Sequence, residues 1–114
     1  VREMQRVIEL AREETGCLVL VLDADPPGDR ITHWMPGTWQ RWERYQVLLR
    51  DLVDGLADPE VRLVPASSSI FELGFAVAMP DAMHRSAAGN RAAADILLAE
   101  ILKWLDEPTE RRGE

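Results

Sequence analysis

One cysteine is too few for an internal disulfide, so this 114-residue chain is not held together by a cross-link. Cys17 opens an apolar run, where a free cysteine is expected to act as a small buried hydrophobe. Basic residues are also scarce: 13 Lys and Arg stand against 20 Asp and Glu, a formal net charge of -7. That balance excludes sequence-independent binding to nucleic acid, which needs a basic face. No apolar run approaches the ~20 residues of a membrane span. Val1 to Leu10 alternates charged and apolar residues, which is not the pattern of a secretory leader, and a cytoplasmic location is expected. Of the two histidines, His33 has no second His or Cys nearby and reads as a loop residue, so neither a metal nor a cofactor is expected. Internal repeats and low-complexity segments are absent from the sequence.

What is present reads as one domain over residues 1–107, followed by a tail over 108–114. Val1, Met4, Val7, Ile8 and Ala11 recur at three and four residues, which predicts an amphipathic helix over 1–15 stopped by Gly16. Cys17–Leu22 has no polar residue and suits a parallel strand covered on both faces. Pro26-Pro27-Gly28 breaks that pattern. Thr38 is placed to cap a helix running to about Ala57, with Trp42, Tyr45, Leu49, Leu52, Val53 and Leu56 as its apolar stripe. Val61–Val64 is a second strand. Residues 65–80 fit a loop, a short helix or a third strand equally well. Ser86 then caps a last helix whose core side is expected to be Ala94, Leu97, Leu98, Ile101, Leu102 and Leu105.

Alternating helices and strands imply an α/β layered fold with right-handed crossovers. Two parallel strands make a poor sheet, and the first is too apolar to serve as an edge facing water. The pattern is half of a doubly wound domain. Self-association, or a companion chain, is expected to complete the sheet, with Trp34 or Trp39 near the join.

Asp81-Ala82-Met83-His84 is the segment with the clearest chemistry. An Asp three residues before a His, in a turn leading into a helix, can fold its carboxylate back onto Nδ1 and leave Nε2 free as a general base. On spacing alone, the same residues also make an ordinary turn with a solvated histidine. The context adds to the spacing. The segment Pro80 to Asn90 resembles the last block of SGNH (GDSL-type) hydrolases, in which Asp-x-x-His precedes a small-residue stretch with a Gly and the final helix. Upstream, the order of helix, apolar strand, Pro26-Pro27 loop, long helix bearing a Tyr and short strand is similar to the second half of that family. The resemblance implies a three-layer flavodoxin-like α/β parallel sheet, with this chain supplying the later strands. It also implies a serine ester hydrolase acting on a small ester or acylated substrate, with Asp81 orienting His84 and His84 activating a serine.

Two departures matter. Arg85 follows His84 where the family often has proline, and the Gly-Asp-Ser and Gly-x-Asn-Asp blocks are absent from these 114 residues. The resemblance places them on earlier strands of the fold. Without them the chain is the Asp-His part of an enzyme, or a non-catalytic remnant that kept the fold as an interaction module.

Ser67-Ser68-Ser69 follows the second strand in a chain order that a triad permits, but without a Gly-x-Ser-x-Gly elbow it reads as a polar loop. Asp23 and Asp25 support a weaker alternative, a Mg²⁺-dependent phosphotransferase, since paired carboxylates at a strand's C-terminal end suit that ion. Trp34, Trp39 and Trp42 are costly to expose and should fill a core, a pocket wall or a joint.

Overall fold

The computed structural model describes residues 1–28, 34–81 and 83–108. The stretch 29–33, which includes His33, and the tail 109–114 lie outside the described residues. Helix α1 spans Arg2–Thr15 and ends where Gly16 turns left-handed at φ 64°, its N–H donating to the Arg12 carbonyl. Strand β1 is Val19–Leu22, so Cys17 and Leu18 precede it. Helix α2 is Thr38–Leu56, strand β2 is Val61–Val64, and two short helices follow, α3 over Ser68–Leu73 and α4 over Phe75–Ala78. Helix α5 spans Ala87–Leu105, and the Ser86 hydroxyl accepts the Gly89 N–H at its start. The segment 65–80, open on sequence grounds, is therefore helical rather than a third strand. It is broken at Gly74, whose φ of 84° suits glycine alone.

β1 and β2 pair in parallel, Val19 beside Val61 and Leu22 beside Val64, and form a two-stranded sheet. Strand alternation sorts the residues. Val19, Val21, Val61 and Leu63 share one face with Ile8 of α1 and Leu49, Leu52, Val53 and Leu56 of α2. This is the main core. Arg12 locks its rim, bonding the Asp58 carboxylate at 2.7 and 3.2 Å and the Gly16 and Cys17 carbonyls at 2.7 Å each. A second cluster, Ile70, Ala78 and Met79 with Phe75 packed against it, holds α3 and α4 together.

α5 lies over β2 on the other face, and its attachment is largely polar. Arg62 of β2 reaches Glu100 at 3.2 Å and Glu107 at 2.5 Å, and Trp104 donates its indole N–H to the buried Glu60. These bonds rotate α5 away from its expected orientation. Gly89 and Ala93 face inward, with Ile96, Leu97, Glu100 and Trp104 half-buried behind them. Leu98, Ile101, Leu102 and Leu105, expected in the core, are exposed, Leu98 at 53% and Leu102 at 52%. Leu22, on the same sheet face, is also exposed. Cys17 is exposed rather than buried, because it lies in the turn before β1 and not in the strand. Thr38 begins α2 without capping it, its hydroxyl buried and unpartnered among the described residues, and Gly37 holds the cap position.

The radius of gyration is 15.8 Å. A compact domain of this length has about 13 Å. No helix among the described residues is long and apolar enough to cross a membrane.

Candidate active site

The turn between α4 and α5 is organised by one carboxylate. Oδ1 of Asp81 accepts the Met83 and His84 backbone N–H groups at 2.9 and 2.7 Å, an Asx turn that the Asp-x-x-His spacing makes possible. Oδ2 then meets Nδ1 of His84 at 2.8 Å. The hydrogen bond expected from the spacing is thus present. The His84 backbone N–H, then its ring, then the Met83 N–H hold the Asp81 carboxyl far below the usual carboxylate range. Asp81 is therefore an anion at any physiological pH. The imidazole side chain is 77% exposed and, among the described residues, has no other hydrogen-bond partner. A charged carboxylate on Nδ1 and an open Nε2 are what a general-base histidine needs.

Arg85 places this turn in the fold. Its guanidinium bonds both Asp25 oxygens, Nε at 2.9 and 3.2 Å and Nη2 at 2.6 Å. It also donates to Ser69 Oγ at 2.8 Å and to the Gly89 and Ala66 carbonyls at 3.0 Å each. Asp25 follows β1 and Ala66 follows β2, so the turn sits beside the C-terminal ends of the strands, where open α/β sheets bind their ligands. The sequence offered Arg85 only as a departure from proline.

The other candidates are engaged elsewhere. Asp23 accepts the Ser67 backbone N–H at 2.8 Å, the Ser67 hydroxyl, and the Gln46 side-chain amide at 2.8 Å. Gln46 in turn accepts the Ala24 N–H at 3.0 Å. Ser68 donates to the Pro65 carbonyl at 2.8 Å, and Ser69 to that of Ala66 at 2.6 Å. None of the three hydroxyls bonds His84. Asp23 and Asp25 serve different partners, and no group of three His, Cys, Asp or Glu suited to a metal gathers among the described residues.

Trp42 donates its indole N–H to the Ala24 carbonyl at 2.8 Å, while Trp39 packs on Trp42, Phe71 and Phe75 with ring centroids 5.4–6.3 Å apart. These rings wedge the start of α2 against α3 and α4. Trp34 remains exposed. A separate cleft of about 200 Å³, lined by Ile8, Glu9, Arg12, Glu13, Leu56, Asp58 and Val61, lies at the other end of the strands and contains none of these groups. Comparison with protein-family models, with curated proteins and with solved structures finds no match for this chain.

Proposed function

We propose that this chain supplies the Asp-His part of an SGNH-type serine ester hydrolase. In this reading β1 and β2 are later strands of a flavodoxin-like sheet, and the substrate is a small carboxylic ester or acyl group. The observation that carries it is the 2.8 Å contact between Asp81 Oδ2 and His84 Nδ1, with Nε2 left to solvent. His84 takes the proton of a serine hydroxyl as the serine attacks the ester carbonyl. It returns that proton to the leaving alcohol, and Asp81 stabilises the imidazolium in between. The serine and the oxyanion donors come from the earlier part of the fold, on the same polypeptide or on a companion. That part pairs with the free edge of β1 and covers Leu22 and the outer stripe of α5. Leu98, Ile101, Leu102 and Leu105 form an exposed apolar row on α5, which supports that docking.

A second reading is a non-catalytic interaction module that closes its sheet with another copy of itself. The commitment of all three serine hydroxyls to backbone or Asp23 favours it. The two readings separate on hydrolysis of short p-nitrophenyl esters. The 114-residue chain alone is expected to show no turnover above buffer. The assembly with its companion is expected to turn over, with His84→Ala lowering kcat on the order of 10⁶-fold. Turnover unaffected by His84→Ala contradicts the hydrolase reading, and a homodimer with no turnover in any assembly leaves the interaction module.

A further inference from the structure

Two devices meet in five residues of the α4–α5 turn, and they do different things. The bonds of Asp81 all fall within residues 81–84, so they fix the shape of the turn and the ring's tautomer. They do not fix where the turn lies relative to the sheet. Ser86 ties the next residue to α4 and α5 but not to the strand ends, its N–H on the Ala78 carbonyl at 2.8 Å, its hydroxyl on that of Val77 at 2.6 Å and accepting the Gly89 N–H at 3.1 Å. Among the described residues, the hydrogen-bonded link from this turn to the strand ends is Arg85.

We propose that Arg85 is the positioning residue that holds the Asp81–His84 pair at the C-terminal edge of the sheet, through its fork on Asp25. The inference rests on the hydrolase reading for its catalytic meaning, though the anchor itself is a matter of geometry. A guanidinium has five N–H donors, and all five are used here, on Asp25, Ser69, Ala66 and Gly89. The side chain is only 12% exposed, so these bonds are shielded from competing water. Its partners come from three separate stretches: the loop after β1, the β2–α3 connection with the first turn of α3, and the first turn of α5. Consecutive Cα atoms are ~3.8 Å apart, so holding Arg85 confines His84 to the same place. Proline, common at this position in the family the segment resembles, stiffens a turn without tying it to anything. Arginine ties it. Lysine lacks the planar fork and cannot make this set of bonds. A base displaced by ~1 Å from its nucleophile loses on the order of 10²-fold in rate, so such an anchor matters to catalysis.

The test uses ¹⁵N NMR on the full 114-residue chain, comparing the parent with Asp25→Asn and Arg85→Lys. Asp25 is partly exposed, so the first variant removes the charge of the fork with little risk to the core. The parent is expected to give a His84 amide order parameter near ~0.85, and both variants to fall below ~0.6 while Leu49 and Ile70 stay rigid. The ring ¹⁵N shifts should report the Nδ1–H tautomer in all three, because Asp81 is untouched. In the active assembly, Asp25→Asn is expected to lower kcat about 10²-fold with KM unchanged. A His84 amide that stays rigid in both variants overturns the anchor. Absence of the Nδ1–H tautomer in the parent counts against the hydrolase reading and leaves the anchor standing, so the two failures are distinguishable.

Discussion

The two faces of the sheet are built differently. On one, α1 and α2 bury Ile8, Val21, Leu49, Leu52 and Val61 in a dry cluster, with Arg12 and Asp58 closing its rim. On the other, α5 is attached through Arg62, Glu100, Glu107, Glu60 and Trp104, while Leu98, Ile101, Leu102 and Leu105 face water. A hydrophobic face is non-directional and needs only cover, whereas ion pairs and an indole N–H impose one rotation of the helix. The difference shows that this chain closes one face by itself. The other carries apolar surface in excess of what its own elements cover, in agreement with the large radius of gyration.

The largest expected effect lies on the closed face. Leu49 is fully buried, so Leu49→Ala should cost about 3 kcal/mol, read as a lower midpoint in urea with an unchanged slope. The matched change on the open face is Leu98→Ser with Leu102→Ser. It should alter the stability of the isolated chain by less than about 1 kcal/mol and abolish association, read by sedimentation at micromolar concentration. Equal losses on the two faces would break the comparison.

Gly89→Ala should fall between these. An added Cβ would lie 2.6 Å from the Ala78 carbonyl oxygen, so α4 and α5 must part and the cost should be about 1–3 kcal/mol. The same change should blur the His84 resonances, because Ala78 also accepts the Ser86 N–H.

The smallest effect belongs to the rim. The Arg12 side chain lowers the Asp58 carboxyl below its ordinary value, helped by the Glu60 N–H. A lowered folded-state value means that this stabilisation is present above the unfolded-state value of ~3.9 and is lost as pH falls through the folded one. Asp58→Asn should therefore cost no more than about 1 kcal/mol at pH 7 and flatten the acid limb of stability below about pH 4. An acid limb unchanged by the substitution would remove Asp58 from the account.

Much of the local structure was legible in the sequence because its causes are local. Gly16 stops α1, Ser86 caps α5, and the three-residue spacing of Asp81 and His84 makes an Asx turn that closes on itself. Period and turn chemistry carry those. The orientation of α5 was not legible, since leucine and isoleucine occupy both of its faces and the deciding contacts join Glu60 to Trp104 and Arg62 to Glu100. The short helices over 68–78 were hidden for a related reason. Their apolar residues have no single period, and Gly74 divides them. Arg85 was missed because its partner Asp25 is 60 residues away. Nothing in the spacing of either residue announces the other. Asp23, a Mg²⁺ ligand only in the weaker alternative, and Ser67, read as a loop serine, bond each other across the strand ends.

The most direct test of the central claim is to label the companion-containing assembly with a fluorophosphonate and map the modified serine. The account predicts one labelled serine outside Ser67, Ser68 and Ser69, with labelling lost in His84→Ala. A label on any of those three serines, or labelling at the parent rate in His84→Ala, would contradict it.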